Sequence, residues 1–290
     1  MTGHGLFGWP RGEAASLAPG DVAVIGVPSD FGNAYVSGTR AGPEAIRRSS
    51  KAMPLRDVPG HDLGDVDVFD GADWAEIVER TAERVRAIAS QGAMPLVLGG
   101  DHAVSYAAVS ALDRAGPFDI VWFDAHTDFC PWHGTDWHNH KQVLRRIATL
   151  PHVGRLLVVG HRGITYFDES LQWPALEVVR AASPGQAPSI PASWLEGDRP
   201  VYVSIDIDVL DPCTAPGTGH PVPGGLALDT LCSMVRSVAQ NRHLVGADVM
   251  EVNPLLDYEA MTSRAAAEVL SALVRARVPH SLSATDGAFA

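Results

Sequence analysis

The chain has 290 residues, 46% of them hydrophobic, with 22 Lys plus Arg against 34 Asp plus Glu and a formal net charge of -12 at pH 7. That length supports a sizeable core in one large domain or two small ones. Scattered basic residues in an acidic chain argue against nucleic acid and anionic membranes as partners, and no apolar run approaches membrane length.

The first residues, MTGHGLFGWPRGEAASL, lack a charged region followed by an apolar one, so a cytoplasmic protein is expected. DVAVIGVP (21–28) reads as a buried strand: it is short, rich in Val and Ile, and ends at a proline. The loop SDFGNAYVSGTRAG follows, then a helix begins in GPEAIRRSS with Pro43 in its first turn. Residues 73–90 place apolar side chains at helical spacing between charges and predict an outer-layer helix.

The alternation continues with MPLVLGG as strand, AVSYAAVSALDRA as helix, FDIVWFDAH as strand, a polar loop, KQVLRRIATL as helix and GRLLVVG as strand. Beyond ASPGQAPSIPAS (182–193), a linker or a surface connection, come RPVYVSIDIDVLD as strand, LALDTLCSMVRSVAQ as helix, HLVGADVMEV as strand and MTSRAAAEVLSALVRAR as a closing helix. Strands apolar on both faces and alternating with helices predict an α/β fold with a mainly parallel sheet covered on both sides. No internal repeat is visible. Cys130, Cys213 and Cys232 form no C-x-x-C pair and are expected as reduced thiols.

In open parallel sheets, ligands bind beyond the carboxyl ends of strands. Four strand ends carry polar residues: GGDHA supplies His102, DAHTD supplies Asp124, His126 and Asp128, SIDIDVLDP supplies Asp206 and Asp208, and DVMEVNP supplies Glu251. In extended chain, the i, i+2, i+4 spacing of Asp124, His126 and Asp128 puts them on one face, and Asp206 and Asp208 share a face in the same way. Each motif alone has a plain structural reading as a loop cap or salt-bridge partner, and GGDH as a tight connection with Asp101 as N-cap. Together, four Asp and two His on one rim repel one another unless cations neutralise them. Six ligands suit two ions sharing carboxylates, and an oxygen-rich set with imidazole and no thiolate favours Mn²⁺.

These motifs, with GVPSDFGNAYVSGTRAGPEAIR, LGGDH, FDAHTD, SIDIDVLDPCTAPGTGHPVPGG and MEVNP taken in order, resemble the arginase and agmatinase family, the ureohydrolases, from about residue 20 to about residue 275. The resemblance implies one three-layer α/β/α domain with two Mn²⁺ per subunit. His102 and Asp128 would serve one ion, His126 and Asp208 the other, with Asp124 and Asp206 bridging. It also implies that Glu251 pairs with a substrate guanidinium, that Asp128 relays a proton from the attacking water, that the products are urea and an amine, and that the protein is a homo-oligomer, a trimer or hexamer.

By the same resemblance, a proton-shuttling histidine lies ten positions past Asp128, at His138, with His133 and His140 competing for the role. His220, where the family has a small hydroxyl residue, either favours an anionic substrate or packs. Trp132 and Trp137 would wall the pocket or anchor the loop. Asp30, Asn33 and Arg40 lie near the expected mouth, and Arg162 either reaches the pocket or forms a structural ion pair. Cys130 is expected to fill the loop. The motif spelling points to agmatine or a guanidino acid of similar length such as guanidinobutyrate or guanidinopropionate, not arginine. A formimino or amide hydrolase on the same fold and a catalytically silent binding subunit are the alternatives.

Overall fold

The computed structural model describes residues 5–33, 36–68, 72–131, 139–162, 173, 175–180 and 188–277. Its strands are β1 (Val22–Val27), β2 (Gly60–Asp65), β3 (Met94–Gly99), β4 (Phe118–Phe123), β5 (Val153–His161), β6 (Leu176–Arg180), β7 (Val201–Asp206) and β8 (Leu244–Met250). They form one eight-stranded sheet in the order β2-β1-β3-β8-β7-β4-β5-β6, and all its pairings are parallel. The helices are α1 (Gly42–Ser50), α2 (Trp74–Ser90), α3 (Ser105–Ser110), α4 (Val143–Ile147), α5 (Ala192–Leu195), α6 (Leu228–Asn241) and α7 (Met261–Ala276).

Alternation along the strands creates two cores, one on each face. On β1, Val22 and Val24 join Ile46 of α1, Leu231 and Val235 of α6 and Leu270 of α7. Ala23, Ile25 and Val27 turn the other way, to Ile77 and Val85 of α2, Ala108 of α3 and Leu144 of α4. The result is the expected three-layer α/β/α arrangement. Each fully buried aliphatic side chain contributes about 1.5–3 kcal/mol, so the central strands can be apolar throughout. Helix α2 begins where the sequence predicts: Asp73 accepts from Glu76 N–H while the Glu76 carboxylate accepts from Asp73 N–H, a reciprocal capping box.

Three elements lie beyond the sequence reading. The residues before β1 are packed: Leu6, Phe7 and Trp9 are buried in the core, Leu6 N–H donates to Asp62 Oδ2 at 2.8 Å and Phe7 N–H to Ser50 Oγ at 2.9 Å. Strands β2 and β6 were not expected; they are the two edges of the sheet. The segment 182–193 lies partly outside the described residues, and its described end runs into α5.

Candidate metal centre and active site

The four strands whose ends carry the polar motifs are neighbours in the sheet, β3-β8-β7-β4. Their carboxyl ends therefore open onto one place. The ligand atoms of His102, Asp124 and Asp206 lie within 4.8 Å of one another, and so do those of Asp124, His126 and Asp208. Asp124 belongs to both groups, as a bridging carboxylate would; Asp206 falls in the first only. Asp128 joins the same cluster, its Oδ2 3.3 Å from His102 Nδ1.

The residues meet for a different reason than strand pleating. Strand β4 stops at Phe123 and β7 at Asp206, so the motifs sit mainly in turns. An aspartate oxygen accepts a backbone N–H two residues on, which bends the chain and returns the following side chains to the cluster. Asp124 Oδ1 takes His126 N–H at 2.6 Å, Asp206 Oδ1 takes Asp208 N–H at 2.9 Å, and Asp101 Oδ1 takes Ala103 N–H at 3.0 Å. Asp128 and Glu251 stand in the left-handed region, with φ 48° and 63°, a conformation that costs energy for residues other than glycine and tends to mark functional turns.

Asp208 and Asp124 are each held at both carboxylate oxygens. Asp208 Oδ1 accepts Ala125 N–H at 3.1 Å while its Oδ2 lies 3.0 Å from His126 Nδ1. Asp124 Oδ2 accepts Trp122 Nε1–H at 2.8 Å, and the Trp122 ring stacks on His102 at 4.0 Å and 6°. Behind His102, its Nε2 lies 2.9 Å from Ser204 Oγ. Ser204 donates its one hydroxyl proton to Asp248 Oδ1 at 2.7 Å, and Tyr202 OH donates to Asp248 Oδ2 at 2.8 Å. Ser204 must then accept from His102 Nε2–H, so that in the neutral ring Nδ1 is the lone pair, on the side of the acids. Burial would lower the imidazole, but with no cation between ring and acids the hydrogen bonds and charges of Asp128 and Asp206 raise it well above its ordinary value.

The electrostatics fit a cation. Burial and the charges of Asp128 and Asp208 push Asp124 up to about 7, and burial with Asp208 and Asp124 pushes Asp206 well above the ordinary carboxylate range. Burial would lower His126, yet Asp208 and Asp124 carry it up to about 12. So many buried acids with outward lone pairs form a donor set of oxygens and imidazole nitrogens suited to divalent ions.

Glu251 is 4% exposed. Its Oε1 accepts His102 N–H at 2.9 Å, while its buried Oε2 has no partner. Burial, with Asp101 adding repulsion, raises it to about 8. His220 packs edge-on to His126 with ring centroids 6.3 Å apart and against His140 at 5.0 Å; burial and then the neighbouring His126 hold its imidazole below the ordinary value. His133, His138, Trp132 and Trp137 lie outside the described residues.

Several flanking residues are architectural. Arg162 forms no part of a salt bridge to the acids; it donates to the carbonyls of Val222, Gly160, Val209, Asp208 and Leu210 and so clamps the turn that carries Asp208. Asp30 accepts from Gly38 N–H, Thr39 Oγ1–H and Arg40 N–H, bracing its own loop. Asn33 is buried there and its Oδ1 accepts Val36 N–H at 3.1 Å. Burial, with Asp128 nearby, pushes the Cys130 thiol up to about 11, so it is a thiol filling the loop. All three cysteines are free.

Sequence reading missed Ser204, Asp248 and Trp122. Asp248 had left a signal: a charged residue in the middle of an otherwise apolar strand, paired in register with Ser204 on β7.

The family model described as the arginase family matches residues 20–275. An agmatinase of Chromobacterium violaceum is 35% identical over 274 residues, covering 89% of this chain and 84% of that protein. A guanidinobutyrase of Pseudomonas aeruginosa is 32% identical over 278 residues, covering 88% and 86%. The solved structure of proclavaminate amidinohydrolase from Streptomyces clavuligerus superposes with a TM-score of 0.84 at 29% identity, over 95% of this chain and 97% of that one. With the parallel sheet, the clustered acids and the match spanning nearly the whole described fold, the chain belongs to the arginase family.

Proposed function

We propose that the protein hydrolyses a linear guanidino compound, agmatine or a close analogue, to urea and an amine, with two Mn²⁺ as its metal. The observation that carries this reading is the pairing of a double His/Asp cluster with one buried, unpaired carboxylate oxygen on Glu251. A guanidinium brings the charge and the N–H donors that oxygen lacks. His102, Asp128, Asp124 and Asp206 would hold one ion, and His126, Asp208, Asp124 and Asp206 the other. Divalent ions bound there lower the pKa of water and supply a strong nucleophile at neutral pH.

The chain's own residues do the rest. Glu251 orients the guanidinium so that its carbon faces the acids. Asp128, whose Oδ2 stands at the cluster 3.3 Å from His102 Nδ1, would accept the proton of the attacking water and pass it to the departing amine. Ser204 and Asp248 hold His102 in the tautomer that keeps Nδ1 free. His138 and His220 belong to this proposal as proton shuttle and tail contact. So do a single domain, a cytoplasmic setting and assembly into a trimer or hexamer; among the described residues no helix is long and apolar enough to cross a membrane.

A guanidino-acid substrate is the second reading, favoured by the likeness to a guanidinobutyrase. Urea release from a panel of agmatine, 3-guanidinopropionate, 4-guanidinobutyrate, arginine and guanidine tests both. Urea from agmatine supports the first reading and urea from the acids alone the second. Ammonia or formamide in its place identifies a formimino or amide hydrolase, and no product from metal-loaded protein leaves a silent binding subunit.

A further inference from the structure

The two metal groups are braced differently. His102 has Ser204 and Asp248 behind its ring. His126 lacks such backing: among the described residues its ring nitrogens meet only Asp208 and Asp124, both through Nδ1. Its position is set instead by the chain that carries it. The residue before it, Ala125, donates its N–H to Asp208 Oδ1 at 3.1 Å. The Ala125 carbonyl accepts Arg162 N–H at 3.0 Å and lies 3.0 Å from His161 Nδ1. That carbonyl shares a peptide with His126 N–H, which donates to Asp124 Oδ1 at 2.6 Å. A peptide is planar, so holding its oxygen at one edge and its N–H at the other fixes the whole unit from which the His126 side chain springs.

His161 is the last residue of β5, after the apolar run Leu156–Val159, and it is fully buried. A carbonyl only accepts, so Nδ1 carries a hydrogen and donates it whether the ring is neutral or charged. Gly160 brings the strand end close enough for this bond. It stands at φ 102°, and a Cβ there would come 2.5 Å from Val209 Cγ2 and 3.3 Å from the Asp124 carbonyl oxygen. The end of β5 is thus pressed against the turn of Asp124 and the turn of Asp208 together, and the Arg162 guanidinium clamps the second of these from the carbonyl of Asp208.

The Ala125 oxygen already has a donor in Arg162 N–H, so it needs no imidazole to be satisfied. A second donor on its other lone pair adds direction: it stops the peptide from tilting about the first bond. Burying a polar ring at the end of an apolar strand costs free energy, and here the ring is aimed at the one residue between Asp124 and His126. We propose that His161 is a positioning residue for the second ion. By holding the 125–126 peptide it sets where His126 Nδ1 stands against Asp208, and so sets the affinity of the His126 and Asp208 side of the cluster for its cation. His161 belongs to neither metal group and acts through Ala125. The proposal rests on the two-ion reading of the cluster and adds the residue that tunes one of the two ions.

Calorimetric titration of chelated protein with Mn²⁺ tests it, on wild type, His161→Leu, His161→Gln and His161→Asn. Asn puts a side-chain N–H where Nδ1 stands, Gln carries its N–H one bond further out, and Leu fills the space without a donor. The second ion should bind about 10- to 100-fold more weakly in His161→Leu and His161→Gln, the first ion should stay within about threefold, and His161→Asn should restore the second. A purely structural role would weaken both ions alike and would not separate Asn from Gln. Unchanged affinity for the second ion in His161→Leu overturns the proposal, as does a loss shared equally by both ions or one that His161→Asn does not restore. A crystal structure of the Mn²⁺-loaded wild type needs no variant: His161 Nδ1 should lie within hydrogen-bond distance of the Ala125 carbonyl oxygen, and a ring turned away from it overturns the assignment. Two ions bound by the wild type with no effect of His161 would remove this inference and keep the two-ion reading. A wild type that takes up a single ion would remove both.

Discussion

His102 and Ser204 are joined by a 2.9 Å hydrogen bond from Nε2 to Oγ, and its direction is set two residues away, because Ser204 gives its own proton to Asp248. A residue that binds no metal thus decides which imidazole nitrogen faces one. Ser204→Ala should weaken binding of the first ion about 10- to 100-fold. Calorimetric titration of chelated protein with Mn²⁺ reads this; equal affinity in variant and wild type would mean that the tautomer is fixed by something else.

Glu251 presents one satisfied and one unsatisfied oxygen. Glu251→Gln keeps the shape and removes the charge, so guanidinium binding should weaken by about 10- to 100-fold, the worth of a hydrogen bond to a charged group. The change should appear chiefly in KM for the guanidino substrate. An unaltered KM would take Glu251 out of guanidinium recognition.

Asp128 stands at the cluster in a left-handed turn that its own carbonyl secures, accepting from Leu144 N–H at 3.1 Å. Because that bond is made by the backbone, Asp128→Asn should fold normally. Turnover should fall by about 10²- to 10⁴-fold, the usual range for a lost proton-transfer group. Thermal unfolding and kcat measured on the same preparation separate the two effects; a kcat within twofold of wild type would contradict the relay.

Away from the site, Asp62 is fully buried and bonds Arg47 Nε–H at 2.8 Å, Leu6 N–H and Gly64 N–H. Burial alone would raise its pKa, but the Arg47 hydrogen bonds and charge hold it below the ordinary value. A carboxylate with a depressed folded pKa stabilises fully above its unfolded value of about 3.9, and that stabilisation is lost as pH falls through the lower folded value. Asp62→Asn should therefore cost about 1–3 kcal/mol at pH 7, because buried Arg47 loses the Asp62 charge while keeping its pairing with Asp65. The gap from wild type should narrow below about pH 4. Urea melts across that range check it, and a gap independent of pH would place the stabilisation in packing instead.

The parts of the fold legible in the sequence were those where one physical demand ruled a whole segment. Strands such as β4 are buried on both faces, so an unbroken apolar run marks them. Edge strands face no such demand: β2 reads GHDLGD, and its identity comes from Asp62 and from Gly60 lying against the Trp9 ring, both long-range relations. The acidic cluster was legible as a set of residues but not in its geometry. The i, i+2 spacing suggested pleated strands, whereas aspartate-to-backbone turns bring the side chains together. Arg162 was legible as a residue near the site but not in its role, since its partners are carbonyl oxygens that every residue carries.

The central claim is that four aspartates and two histidines tolerate one another because divalent cations occupy their midst. Elemental analysis of purified protein, before and after chelation and Mn²⁺ reloading, with urea release followed on the same samples, tests it most directly. The account predicts two ions per chain in active protein, loss of urea release as they are stripped and recovery on reloading. Full activity in protein that carries no divalent metal would contradict it.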